Sequence, residues 1–181
     1  MAESDPADDT WSHWFHEYGP RLLLFARQQT RTEADAQDVL QDAIVRLWKS
    51  NDKHRDSAPA IPDLPLVYRA IRHAAIDLGR KTDRRVRREQ SSEYVLDENR
   101  DKVEWFGGSS LEEGERNAAL EAELQKLPEK FREVLVLKIW GEQTFAQIAD
   151  ALAISQNTAA SRYRYGMEAL RKSLKPEQFS P

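Results

Sequence analysis

The sequence contains no cysteine in 181 residues. Disulfides and thiolate metal sites are therefore excluded, and a reducing, cytoplasmic setting fits. Glycine and proline are sparse, at 7 and 8, which disfavours a turn-rich β fold and favours long helices. No apolar run approaches the roughly 20 residues that span a bilayer, so no membrane insertion is expected. The first nine residues are acidic and lack an apolar stretch, unlike a secretory signal. No Ser/His/Asp arrangement and no glycine-rich phosphate loop occurs. His13, His16, His54 and His73 show no metal-ligand spacing with carboxylates; the i, i+3 pair His13/His16 reads as surface or packing histidines. The expectation is a protein that is not an enzyme, with no catalytic residue, no metal and no cofactor.

What is present is charge, and it is segregated. Hydrophobic residues make up 40% and charged residues 32%, a surface-rich balance that suits two small domains better than one large core. The net charge of −4 hides a pattern of alternating blocks. Residues 66–89 carry eight basic residues against three acids, residues 91–124 ten acids against three bases, and residues 155–175 five bases against one acid. Solvated helix faces alone could give such blocks. Two basic segments separated by an acidic one also fit two nucleic-acid surfaces joined by a segment that avoids DNA.

Hydrophobic periodicity is helical throughout, with spacings of three and four. The first stripe is Trp11, Trp14, Phe15, Tyr18, Leu22, Phe25 and Ala26, with a kink or restart expected at Gly19-Pro20. The second is Ala36, Val39, Leu40, Ala43, Ile44, Leu47 and Trp48, capped by Thr32 or Thr30. Its opposite side is polar, with Asp35, Asp38, Gln41 and Asp42. Residues 50–65 read as a loop. A third helix runs from about residue 66 into the late eighties, with Val67, Ala70, Ile71, Ala74 and Leu78 inward. Tyr68 is assigned to the core with them. The fold class is all-α: two small helical domains, residues 1–90 and 114–176, joined by a flexible acidic linker at 91–113. Trp105-Phe106 is an isolated apolar pair in that linker, able to dock on either domain or on a partner.

The most specific signal is TFAQIADALAISQNTAASRYRYGMEALRKSL, residues 144–174. Thr144 with Gln147 three residues on forms a capping box. A short helix follows, with Ile148, Ala149 and Leu152 inward. Ala153-Ile154 make a turn, and Ser155 caps a second helix whose inward stripe is Ala159, Tyr163, Gly166 and Leu170. Helix, tight turn, capped helix is the layout of a helix-turn-helix, whose second helix enters the major groove. Its outward side offers Gln156, Asn157, Ser161 and Arg164, with Arg162 on the flank and Arg171 and Lys172 at the basic end. Gln and Asn pair bidentately with adenine and Arg with guanine, and the helix start presents free amides to phosphate.

With these residues in view, the chain resembles the extracytoplasmic-function sigma factors of RNA polymerase. LPEKFREVLVLKIWGEQTFAQIADALAIS with QNTAASRYRYGMEALRKSL is similar to the family's region four; EADAQDVLQDAIVRLWKS resembles the core of region two, and LVYRAIRHAAIDLGRK its promoter-melting helix. The resemblance implies a transcription initiation factor that binds core RNA polymerase, directs it to promoters and helps open the DNA. Region two would bind polymerase through Asp35, Asp38, Gln41 and Asp42, and would recognise and melt the minus-ten element through Arg69, Arg72, His73, Arg80 and Lys81. The loop between the second and third helices, residues 51–65, would pocket an extruded base. Region four would bind the minus-thirty-five element as a duplex. An anti-sigma factor is a further partner the resemblance allows. Ala153 stands where the family usually has Gly, Ala160 where it often has Lys, His73 where it often has Asn, and Ala74 where it often has a larger residue; these bear on promoter sequence. The competing reading is a two-domain helix-turn-helix regulator binding duplex DNA without polymerase, against which the basic third helix counts. A recombinase would need a nucleophile near catalytic arginines, and Ser91-Ser92 lies in acidic, linker-like sequence.

Overall fold

The structure is a computed structural model that describes residues 6–52, 61–89, 105–106 and 111–174. All its regular elements are helices: α1 (Pro6–Gln29), α2 (Glu33–Asp52), α3 (Leu64–Glu89), α4 (Leu111–Lys126), α5 (Glu129–Ile139), α6 (Phe145–Leu152) and α7 (Gln156–Ser173). The chain divides into two compact units, Met1–Lys102 and Val103–Pro181.

In the first unit α1, α2 and α3 pack on one another pairwise. Each contributes an apolar stripe at helical spacing to one core: Leu22, Phe25 and Ala26, then Ala36, Val39 and Ala43, then Val67, Ile71 and Ala74, all buried. Tyr68 is buried with them, its ring edge-on to Phe25 at 5.2 Å. Two stripe positions stay at the surface: Phe15 is 45% and Trp48 58% exposed.

Helix α1 runs on through Gly19-Pro20 as one element, so of the kink or restart expected there the restart does not occur. Proline removes one backbone donor, a local loss. The turn that follows is fixed by burial of Leu22, Phe25 and Ala26, and the Phe15 ring packs over Gly19, where an added Cβ would lie 3.3 Å from it. Between α1 and α2, Thr32 is the cap: its hydroxyl accepts from the Asp35 amide at 3.1 Å, whereas Thr30 donates back to the Ala26 carbonyl. Arg27 closes the same corner. Its Nε and Nη2 donate to the two carboxylate oxygens of Glu33 at 2.7 and 2.8 Å, and this bidentate bond holds the Glu33 carboxyl below the usual carboxylate range.

Helix α3 begins two residues earlier than the apolar stripe predicts, at Leu64. The Leu66 and Val67 amides both bond the Asp63 carbonyl, so Pro65 sits in the first turn, where its missing N–H forfeits no helical bond. Helix α2 likewise continues to Asp52, shortening the expected loop from both sides. Residues 53–60 of that loop, expected to pocket a base, lie outside the described residues, as do residue 90, residues 91–104 and 107–110 of the expected linker, and the side chain of Arg88.

In the second unit α5 lies against α6 and α7, with α4 packed on α7. Leu124, Val134, Leu135, Leu137, Ile148, Ala159 and Leu170 fill the centre. Helix α4 starts at Leu111, ahead of the boundary at residue 114 drawn from the sequence. Trp105 belongs to this unit and is buried: its amide donates to Glu121 Oε2 of α4 at 2.8 Å, and the Arg132 guanidinium of α5 lies 5.5 Å from its ring. Phe106 stacks on Trp140 at 4.9 Å. The apolar pair in the acidic segment is therefore docked on the second unit.

Candidate nucleic-acid interface

Two local caps and one left-handed residue build the helix-turn-helix. The Thr144 hydroxyl accepts from the Gln147 amide at 3.2 Å while the Gln147 side chain accepts from the Thr144 amide at 2.8 Å, so the capping box is closed both ways. Helix α6 ends at Ala153, which holds φ 55° and ψ 48°. That left-handed conformation turns the chain sharply, and the Ile154 amide bonds the Ala149 carbonyl at 3.0 Å. Alanine therefore occupies the backbone state that glycine takes at lower cost. Ser155 then caps α7 by accepting from the Thr158 amide at 3.0 Å.

The caps fix which side of α7 is presented. Ala159, Gly166 and Leu170 are buried, and Tyr163 packs edge-on against Phe145 of α6 at 5.7 Å. Gln156, Asn157 and Arg164 are exposed, while Ser161 and Arg162 are half-buried on the flank. The Ser161 hydroxyl donates to the Thr158 carbonyl at 3.0 Å, so only its oxygen lone pairs face outward. Arg171 and Lys172 are exposed in the last turn, about 22 Å along the axis from Gln156 at 1.5 Å per residue. Lys172 is held by Glu168 at 2.7 Å, which also lowers the Glu168 carboxyl from its ordinary value. The seven expected residues thus share one helix but form two groups, five around the first three turns and two at the far end. The sequence reading passed over Tyr165, which is 51% exposed and lies under the Arg164 guanidinium, 5.0 Å from its ring centroid. Its place next to Arg164 and off the inward stripe was the available signal.

In the first unit the expected strand-binding residues all lie on α3. His73, Arg80 and Lys81 are exposed, and Arg69 and Arg72 are half-buried. Arg84, Arg85 and Arg87 extend the exposed basic side toward the helix end. The expected polymerase-binding residues lie on α2. Asp38 and Gln41 are exposed; Asp35 and Asp42 are half-buried. Asp42 is engaged within the chain: Arg46 bonds it at 2.7 Å and reaches Asp77 of α3 at 3.7 Å, and Asp77 in turn lies 4.0 Å from Arg80. This ladder joins the acidic side of α2 to the basic side of α3. Among the described residues no His, Cys, Asp and Glu group could hold a metal ion, and no helix is long and apolar enough to cross a membrane.

With this geometry in place, comparison with known proteins is specific. The family model "Sigma-70 region 2" matches residues 14–85, which contain most of α1 to α3, and "Sigma-70, region 4" matches residues 124–172, which contain α5, α6 and all but the last residue of α7. ECF RNA polymerase sigma factor SigW of Bacillus subtilis (strain 168) is 38% identical over 61 residues, a stretch spanning 34% of this chain and 33% of that protein. Solved structures that share the fold include two complexes. The sigma factor RpoE from Bartonella quintana, solved with the anti-sigma factor NepR, aligns with a TM-score of 0.62 at 18% identity, covering 90% of this chain and 95% of that one. CnrH, solved with the cytosolic domain of CnrY, aligns at 0.57 and 23% identity, covering 89% and 84%.

Proposed function

Because the chain belongs to the sigma-70 family, as an extracytoplasmic-function sigma factor with region 2 in its first unit and region 4 in its second, we propose that it binds core RNA polymerase, directs it to promoters and helps open the DNA. The observation that carries this is the pairing of the two regions, in order, in one chain, each on its own compact unit. A regulator that binds duplex DNA without polymerase would have no use for region 2, so that reading is not favoured.

The division of labour follows the exposed chemistry. Residues 1–90 form the polymerase-binding and strand-opening part, residues 91–113 the connection, and residues 114–176 the duplex-binding part. Asp38 and Gln41 present an acidic, hydrogen-bonding strip to a basic partner helix, with Asp35 and Asp42 flanking it. Arg69, Arg72, His73, Arg80 and Lys81 bind the separated strand, whose capture offsets the few kcal/mol of unstacking. Gln156, Asn157, Ser161, Arg162 and Arg164 read the upstream duplex, while Arg171 and Lys172 follow its phosphates. Opening DNA this way makes and breaks no covalent bond, so in this proposal the chain works as a polymerase subunit and not as an enzyme, in the cytoplasm alongside the polymerase. An anti-sigma factor of the kind that accompanies RpoE in its crystal is a further partner in this proposal.

Run-off transcription of genomic fragments with purified core polymerase tests the proposal. Transcripts above the core-only level are expected. Their absence, under conditions where another sigma factor supports initiation, overturns it.

A further inference from the structure

Tyr165 is a large aromatic side chain, 51% exposed, on the outward side of α7, where neither core packing nor capping calls for it. Its ring is nonetheless held on two sides. Arg164 lies over it at 5.0 Å, with Nη2 3.4 Å from the phenol oxygen, close enough to donate a long hydrogen bond. Phe131, from the first turns of α5, lies 6.4 Å away at a tilt of 46°. That neighbour is brought close by Gly166, the next residue along. A Cβ at Gly166 would lie 3.1 Å from Leu135 Cδ1 and 3.3 Å from Phe131 Cβ, so α5 and α7 approach closely there and a larger residue would push these side chains back. A fixed helix–helix contact thus braces the ring, and the ring in turn carries the guanidinium.

We propose that Tyr165 is a positioning residue for Arg164, holding its guanidinium ready at the DNA-facing side of α7 before the base pair arrives. The inference rests on the reading that α7 faces DNA. An unrestrained arginine loses rotamer freedom when it makes a bidentate contact with guanine, a penalty equivalent to roughly two- to tenfold in affinity. An exposed guanidinium–aromatic contact returns about two- to fivefold of that in advance. Tyr165 therefore affects affinity and base preference through Arg164, at the one base position that Arg164 reads.

Holoenzyme binding to a panel of promoter duplexes with single-base changes in the upstream element provides the test, with Arg164→Ala, Tyr165→Leu, Tyr165→Phe and the Arg164→Ala/Tyr165→Leu double variant. Tyr165→Leu should weaken the preferred duplex about two- to fivefold and flatten discrimination at the same position as Arg164→Ala. In the Arg164→Ala background it should have no further effect, and Tyr165→Phe, which keeps the ring, should retain most of the preference. Uniform weakening of every duplex by Tyr165→Leu, or an equal loss with and without Arg164, overturns the proposal while leaving α7 on DNA. Tighter binding by Tyr165→Leu overturns it as well, since the ring would then hold Arg164 away from DNA. Unchanged binding by Arg164→Ala overturns the DNA reading of α7 itself, and this proposal with it.

Discussion

Ala153 carries a conformational penalty that the fold tolerates for the sake of the turn. At φ 55° its Cβ crowds the backbone, and glycine at the same place is free of that contact. Ala153→Gly should therefore stabilise the second unit by about 1 kcal/mol, read as a rise in its thermal midpoint. An unchanged or lowered midpoint would mean that neighbouring contacts hold this turn without strain. Glu33 supplies a pH signature. Its folded carboxyl is depressed, chiefly by the Arg27 hydrogen bonds, so the pair's contribution is complete above the ordinary glutamate value of about 4.3. It is lost as the pH falls through the depressed folded value. Glu33→Gln should consequently cost stability at pH 7 and progressively less in acid, with the two unfolding curves converging; a difference that does not shrink with pH would remove Arg27 as the cause. At this scale the caps were legible in the sequence, since Thr144, Gln147 and Ser155 act on amides three residues away. Whether Thr30 or Thr32 caps α2, and that Lys172 is tied to Glu168, depends on rotamers that spacing does not fix.

Elements follow the same logic. Helices α2, α6 and α7 were readable because an amphipathic stripe with a cap at one end is local information, and α3 from its stripe alone. The run of α1 through Pro20 was not, because later burial of Leu22, Phe25 and Ala26 outweighs one missing bond. Nor was the docking of Trp105-Phe106, whose site on Glu121, Arg132 and Trp140 exists only once α4 and α5 are in place. That docking makes a prediction about the second unit. Trp105→Ala removes a buried indole and should destabilise that unit by about 3–5 kcal/mol. Amide hydrogen exchange on the full chain would show faster opening of α4 to α7 with α1 to α3 unaffected. Equal protection of both units in the variant would mean that the pair merely rests on the surface.

Across the whole molecule, the charge blocks map onto the two units. The acidic segment separates two basic ones, and each basic block falls on a different compact unit, on α3 and on α7. The proposed contact residues of both units were placed on helix faces from spacing alone, while the internal ladder Asp42–Arg46–Asp77–Arg80, which ties the acidic and basic sides of the first unit together, needed the packing of α2 on α3. Asp38 and Gln41 stand outside that ladder and are exposed, so replacing them with Lys and Ala should weaken binding to core polymerase and shift stability by less than about 0.5 kcal/mol. A large loss of stability would place them in a packing role.

Permanganate reactivity of promoter thymines, measured with core polymerase and this chain on a transcribed fragment, tests the central claim most directly, because it reports strand opening itself. The wild-type chain should expose a run of reactive thymines that core polymerase alone does not. Arg80→Ala/Lys81→Ala should leave promoter binding largely intact and reduce that reactivity, whereas Arg164→Ala should reduce binding and reactivity together. Reactive thymines that appear equally without the chain, or binding of the chain to duplex DNA with no opening in the presence of polymerase, would contradict the account.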